Sequence, residues 1–196
     1  VSSSAASDVY KRQGFECFRK ISGANLEQIV FTDSESDKQS AEINQTKYTQ
    51  PALYVYEYAL AQLLISRGCR PDYLVGHSIG EFSAAAVSGV FSFEDGMRLV
   101  IARGELMQAQ QPGKMLAVTG NMDTVADLLS DKLSIAAINS SEQIVLSGDE
   151  VSIQSAYEIL SGKNISATIL HTSHAFHSEM MAVSYTHLRA HETATY

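Results

Sequence analysis

A serine between two glycines is the first feature of this sequence that could do chemistry. Gly76-His77-Ser78-Ile79-Gly80 follows the apolar residues 73–75 and precedes an alanine-rich stretch. This G-x-S-x-G spacing predicts a sharp strand-to-helix turn that projects the hydroxyl of a nucleophilic serine away from a sheet. The flanking glycines omit Cβ atoms that would crowd so tight a turn. We expect the backbone N–H of Ile79, at the positive end of the following helix, to bind a developing oxyanion.

A serine nucleophile needs a general base, because its hydroxyl reacts poorly at neutral pH. His77 adjoins Ser78, so we expect its side chain to point away from the hydroxyl. Three further histidines, His171, His174 and His177, lie in the segment LHTSHAFHSEMM. Either His174 or His177 could return to Ser78, and spacing alone leaves both open.

An arginine lies within the apolar stripe of a helix predicted after the serine. Arg103 falls among Leu99, Val100, Leu106 and Met107. A guanidinium that faces a core is costly unless it has an anionic partner. It could reach solvent, pair with a buried Asp or Glu, or bind a substrate carboxylate with its planar fork. A simple esterase needs no such group, whereas an enzyme that transfers a carboxylated acyl group does.

The segment before the serine predicts a long helix over residues 49–68. Pro51 suits its first turn, and Gly68 suits its C-terminal stop. The apolar periodicity puts one set of side chains on a common face, namely Leu53, Tyr56, Leu60, Leu63 and Leu64.

Three shorter elements surround the serine. Residues 73–76 predict a short buried strand, and residues 81–89 predict a tightly packed helix of small residues. Ser92, with Asp95 three residues later, resembles a capping box for a helix over residues 92–108.

The second half of the chain predicts β-α-β-β-α-β over residues 115–171, which is the ferredoxin-like order. We therefore expect an α/β fold in which a small α+β insert interrupts a larger α/β body.

Composition excludes several classes of function. The 196 residues are 45% hydrophobic and 18% charged, as in an ordinary globular protein. The formal net charge of −8 argues against general nucleic-acid binding, which needs a basic face. No apolar run approaches the roughly 18 residues of a membrane helix. Cys17 and Cys69 have no metal or redox spacing, so we expect reduced packing cysteines in a cytoplasmic protein.

The two ends differ from the middle. Residues 1–13 and 183–196 lack apolar periodicity and resemble translations of a transposon-type sequencing adapter. We therefore expect the natural sequence to span residues 14–182, truncated at both ends. His187 and His191, whose i, i+4 spacing could suit a metal, fall within one such end, so we expect no metal site.

Several separated motifs resemble one family. GHSIGE, RGELMQ and HAFHS resemble the acyltransferase domains of modular polyketide synthases and the related malonyl-CoA:acyl carrier protein transacylases. TKYTQPALYVYEYALAQLL and AAINSSEQIVLSG also resemble that family in order and spacing. The resemblance implies that residues 14–114 form part of an α/β-hydrolase-like large subdomain. Residues 115–171 then form a ferredoxin-like small subdomain, and residues 172–182 return to the large subdomain.

The resemblance also implies roles for single residues. Ser78 matches the nucleophile that becomes acylated, and His177 matches the catalytic base. Arg103 matches the arginine that pairs with the free carboxylate of the extender unit. Gln50 matches a glutamine near the active site.

The acyl group implied by the resemblance is malonyl. In this family the HAFH motif, which here includes His174 and Phe176 as substrate-binding residues, is associated with malonyl rather than methylmalonyl. Residue 79 is Ile rather than Gln, which favours the same choice.

The implied reaction moves malonyl from coenzyme A to the phosphopantetheine thiol of an acyl carrier protein, with no bound cofactor and with a ketosynthase as neighbour in the parent protein. The chain departs from the family because nothing in it matches the family's N-terminal G-Q-G-S-Q segment or the last part of the family's large subdomain.

Two alternative functions stay open. The first is a serine esterase of the α/β-hydrolase class, and the second is an inactive truncated fragment.

Overall fold

The computed structural model describes residues 3–31, 42–182, 184 and 186–188. These residues fall into two units, one ending at Glu105 and the other beginning at Leu106. Each unit has a hydrophobic core of its own. Within the described ranges, no helix combines the length and the apolar character needed to cross a membrane.

The first unit is built from helices. The third helix packs against the first, second and fourth helices, and the fifth contributes Met97 and Val100 to the core. Burial raises the pKa of the central Tyr54 phenol, whose hydroxyl donates to the carbonyl of Phe93 at 3.2 Å. The bounds are α1 Ser3–Ser22, α2 Leu26–Phe31, α3 Thr46–Ser66, α4 Gly80–Ser88 and α5 Phe93–Gln108, the last of which ends in the second unit.

Helix α1 is an element that the sequence did not predict. Its first half lies in the adapter-like segment, whose origin stays a prediction. Its second half carries the buried Phe15 and Phe18. A Cβ added at Gly14 would lie 2.7 Å from Val55 Cγ1, so the backbone of α1 lies directly against α3.

Helix α3 begins earlier than predicted. The backbone N–H groups of Tyr48 and Thr49 already donate to the carbonyl of Gln45, so Pro51 lies inside the helix and the first-turn prediction is wrong. The predicted apolar face exists but is exposed, with Leu53 at 43% and Leu60 at 55%. The core-facing side chains lie on the other side of the helix, which is also apolar, and they are Ala52, Tyr54, Val55 and Ala59.

The predicted buried strand at residues 73–76 is wrong. This segment has no strand pairing, and Tyr73 and Val75 are 92% and 96% exposed. A strand needs a neighbour to satisfy its backbone groups. Among the described residues, the paired strands all belong to the sheet of the second unit.

The starts and stops of the next two helices follow local chemistry. Gly89 ends α4 in the left-handed conformation, with φ of 81°. The Asp95 N–H donates to Ser92 Oγ at 3.1 Å, which confirms Ser92 as the cap of α5. The Asp95 carboxylate in turn accepts from the Ser92 hydroxyl at 2.6 Å.

The two cysteines differ. Cys17 is half-buried against the first core, as a packing cysteine should be, and burial raises the pKa of its thiol. Cys69 is exposed, so the expected packing role is wrong for it.

The second unit confirms the predicted β-α-β-β-α-β order. Its four strands pair in the order β2-β3-β1-β4, and every neighbouring pair is antiparallel. Leu116 lies opposite Leu146 on one side and Ile169 on the other; Leu116 and Leu146 are buried in the core, and the half-buried Ile169 packs against it. The bounds are β1 Lys114–Thr119, α6 Met122–Val125 with a 3-10 turn at Ala126–Leu128, β2 Leu133–Ser140, β3 Gln143–Gly148, α7 Glu150–Gly162, β4 Ala167–Leu170 and a 3-10 turn at Glu179–Met181.

Candidate active site

The turn before α4 has the strained geometry that the glycine-serine spacing predicts. Ser78 has φ of 54°, a left-handed conformation that is uncommon for a residue with a side chain. A Cβ at Gly76 would lie 2.2 Å from the Glu81 nitrogen, so no side chain fits there. Gly80 differs, because a Cβ there would meet its nearest atom, Glu57 Oε2, at an ordinary 3.8 Å. The steric prediction is therefore confirmed for Gly76 and wrong for Gly80.

Backbone N–H groups converge at the start of α4. The Gly80 N–H donates to the carbonyl of His77, and the Glu81 N–H donates to that of Ser78. Among the described residues, no atom accepts a hydrogen bond from the N–H of the buried Ile79. This group therefore has the geometry of a donor at a helix N-terminus.

The arginine predicted to face inward is buried beside the serine. Arg103 is 6% exposed, so it does not extend to solvent. Its Nη2 donates to Ser78 Oγ at 3.2 Å, and its Nη1 donates to Gln50 Oε1. The guanidinium carbon lies 5.8 Å from the centre of the Phe82 ring, within reach of a cation–π contact. The structure thus brings together Ser78, Arg103 and Gln50, which are distant in sequence.

Thr46 and Gly104, which the sequence analysis did not single out, support this cluster. A guanidinium only donates, so the Gln50 amide must turn its oxygen toward Arg103. Its nitrogen then donates to the buried Thr46 Oγ1 at 2.7 Å. A Cβ at Gly104 would lie 2.9 Å from Lys47 Cα, so this glycine allows α5 to lie against the start of α3. The sequence contains a signal for Gly104, because a glycine inside a strongly helical pattern often has a packing reason.

The predicted base lies in the second unit, on a turn that is also strained. His177 is half-buried and has φ of 59°. Ser178 holds the turn, because its hydroxyl donates to the Ala175 carbonyl at 2.6 Å and accepts from the Met180 N–H at 3.3 Å. In the described part of the chain, the non-glycine residues with positive φ are Ser78, Asn164 and His177. Such strain concentrates at functional sites. Two of these three residues, Ser78 and His177, are the predicted nucleophile and base.

The other two predicted residues of the HAFH motif, His174 and Phe176, come just before His177 in the chain. His174 is buried, pairs with Pro112 in an isolated β-bridge, and has its Nδ1 2.7 Å from Ser173 Oγ. The Phe176 ring centre lies 6.0 Å from that of His174.

Metal ligands do not cluster in the part of the chain that is described, where no group of three His, Cys, Asp or Glu could hold an ion. His191, one of the spaced pair in the adapter-like end, lies outside the described residues.

Comparison with known proteins gives consistent matches. The family model described as "Acyl transferase domain" matches residues 2–196. Polyketide synthase GfsA of Streptomyces halstedii is 40% identical over 180 residues, which are 89% of this chain and 2% of that protein. The malonyl CoA-acyl carrier protein transacylase of Synechocystis sp. is 40% identical over 140 residues, which are 70% of this chain and 47% of that protein.

A solved structure extends the match to three dimensions. The acyltransferase domain from the second module of the salinomycin polyketide synthase superposes with a TM-score of 0.84 at 36% identity. The superposition covers 95% of this chain and 43% of that one. This chain therefore has an α/β fold that matches acyltransferase domains, and it spans less than half the length of each of these three proteins.

Proposed function

Because this chain belongs to the acyl transferase domain family, we propose that it transfers a malonyl group from malonyl-CoA, through an ester on Ser78, to the phosphopantetheine thiol of an acyl carrier protein. The observation that carries the proposal is the buried Arg103 guanidinium, which donates to Ser78 Oγ at 3.2 Å. A fixed positive charge beside the nucleophile suits an acyl group that carries a negative charge. Malonyl has that charge, and acetyl lacks it.

Arg103 binds the free carboxylate of the malonyl group. Gln50 holds one edge of the guanidinium and so sets its plane. The substrate carboxylate takes the Nη2 side in place of the Ser78 hydroxyl, because an ionic acceptor forms the stronger hydrogen bond. The same step releases the hydroxyl for reaction.

Acylation is a displacement at the thioester carbon. His177 accepts the proton of Ser78 as Oγ bonds to the thioester carbonyl carbon. The C–S bond then breaks, and the coenzyme A sulfur takes the proton from His177. In the second half, the phosphopantetheine thiol gives its proton to His177 as its sulfur bonds to the ester carbonyl carbon. The ester C–Oγ bond then breaks, and Ser78 Oγ takes the proton back from His177. The positive φ of both residues supports these roles.

The oxyanion formed in each half accepts a hydrogen bond from the Ile79 N–H. Removing one such donor costs roughly 100- to 1000-fold in rate in other acyl-transfer enzymes. In the intact parent, a donor from a segment absent from this sequence supplies the second bond.

The HAFH segment completes the acyl pocket. His174 and Phe176 contact the malonyl group, which accords with the name of the Synechocystis relative, a malonyl transacylase. The reaction needs no bound cofactor, since coenzyme A enters and leaves with the substrate.

The first unit forms part of an α/β-hydrolase-like body, into which the ferredoxin-like second unit is inserted. The support is the exposed and apolar segment at residues 73–75 directly before the Ser78 turn. A groove of about 280 Å³ beside it is lined mainly by apolar side chains, among them Ile65, Leu74 and Val87. Segments of a longer parent protein, with ketosynthase and carrier domains, complete a parallel sheet along this edge.

A transfer assay tests the proposal. The chain is mixed with an acyl carrier protein bearing phosphopantetheine and with malonyl-CoA, and the carrier is weighed by mass spectrometry. We expect a malonyl-carrier product that is lost in Ser78→Ala. Hydrolysis of p-nitrophenyl acetate without malonyl transfer would favour an esterase instead. Absence of both activities and of a cooperative thermal transition would favour an inactive fragment.

A further inference from the structure

A carboxylate outside the Ser78 cluster ties the helix that follows the serine to α3. The Ser83 hydroxyl donates to Glu57 Oε2 at 2.6 Å, across 26 residues of sequence. Ser83 is buried and Glu57 is half-buried. The short distance is typical of an O–H group that donates to an ionised carboxylate.

The contact lies at the first turn of α4. Ser83 is the fourth residue of that helix, which begins at Gly80. The carboxylate of Glu57 also lies beside Gly80, since a Cβ there would be 3.8 Å from Oε2. A negative charge at a helix N-terminus is favourable, so the electrostatics and the hydrogen bond stabilise the same placement.

Helix α3 contacts both halves of the serine cluster. Gln50 and Glu57 are seven residues apart, which is about two turns, so they lie on the same side of α3. Gln50 holds Arg103, and Glu57 holds the helix that begins at the Ser78 turn. The distance between Arg103 and the Ser78 hydroxyl therefore depends on both contacts with α3.

A left-handed serine persists only where its surroundings restrict it. The lack of room at Gly76 and the hydrogen bond from Arg103 restrict the turn itself. We propose that Glu57 is a positioning residue for Ser78, which acts through Ser83 and the first turn of α4. The proposal rests on Ser78 being the nucleophile of the proposed function.

The test measures the reactivity of Ser78 directly. Phenylmethylsulfonyl fluoride sulfonylates a reactive serine with release of fluoride, and the second-order rate at Ser78 is followed by peptide mass spectrometry in the full chain. We expect Glu57→Ala and Ser83→Ala each to lower the rate about tenfold, because each removes the charge-assisted hydrogen bond. The double variant should react no more slowly than either single variant, since both act through one contact. Glu57→Gln keeps an acceptor oxygen and should stay within about threefold of the original chain.

A matched control separates positioning from general stability. Tyr54→Phe removes another hydrogen bond from α3, the one to the Phe93 carbonyl. It should lower the Tm and leave the Ser78 rate unchanged. If Glu57→Ala fails to fold, Ser83→Ala provides the test alone.

Equal rates in the original chain and in folded Ser83→Ala, or single effects that add in the double variant, would overturn the positioning role. Sulfonylation needs no malonyl donor. A chain that is sulfonylated at Ser78 but never malonylated would therefore overturn the proposed function and leave the positioning role standing.

Discussion

Replacing Arg103 with alanine should remove the preference of the site for malonyl over acetyl. The guanidinium is 6% exposed and donates to both Ser78 and Gln50. Truncating one partner of a buried, hydrogen-bonded charge pair costs about 2–5 kcal/mol. If the substitution costs about 3 kcal/mol of this interaction, malonyl transfer to Ser78 should slow roughly 150-fold, since each 1.36 kcal/mol corresponds to a tenfold change in rate. Acetyl transfer, which has no carboxylate to lose, should change by less than about tenfold on the same scale.

The assay follows acylation of Ser78 from malonyl-CoA and from acetyl-CoA by mass spectrometry of the intact chain. Arg98→Ala is the matched control, because Arg98 lies on the same helix, is exposed, and pairs with Glu94 at 2.6 Å. Exposed pairs of this kind contribute about 0.3–0.5 kcal/mol, so both rates should stay near those of the original chain. A folded Arg103→Ala chain with an unchanged ratio of malonyl to acetyl rates would refute the carboxylate-binding role.

Further substitutions test the Ser78 turn and, in the second unit, the start of α7. Gly76→Ala should lower the Tm sharply, because its Cβ would lie 2.2 Å from the Glu81 nitrogen, whereas Gly80→Ala should fold normally since its Cβ fits; similar thermal transitions for the two would contradict this geometry of the turn. Asp149 accepts from the Ser152 N–H at the start of α7, which lowers the pKa of its carboxyl. Asp149→Ala should therefore cost about 1 kcal/mol in urea unfolding at pH 7. Because the folded pKa is lowered, this stabilisation is present above the unfolded pKa and disappears as the pH falls through the folded value, so a cost that grows below about pH 4 would contradict the assignment.

Periodicity and motif spacing were enough to predict several features. The order of elements in the second unit followed from alternating strand and helix patterns, and the sheet confirms it. The apolar stripe placed Arg103 on the core-facing side of its helix but left open whether the guanidinium reaches solvent, and its burial excludes solvent. These features depend on local sequence, where a period of two or 3.6 residues decides which side chains face a core.

Other features depend on tertiary packing and could not be predicted. Helix α3 is apolar on two sides, and only its contacts with α1, α2 and α4 decide which side is buried. The apolar residues 73–75 suggested a strand, but a strand also requires a paired neighbour. The supporting contacts of Thr46 and Glu57 join residues that are ordinary in sequence and become informative only beside Gln50 and Ser83.

The central claim is that Ser78 accepts the malonyl group with His177 as its base. Peptide mapping after a brief reaction with malonyl-CoA tests it most directly. We expect the malonyl adduct on the peptide that contains Ser78, none in Ser78→Ala, and formation at least about 100-fold slower in His177→Ala, which is the usual contribution of a general base. A folded chain that gains no adduct, or gains it on another residue, would contradict the claim.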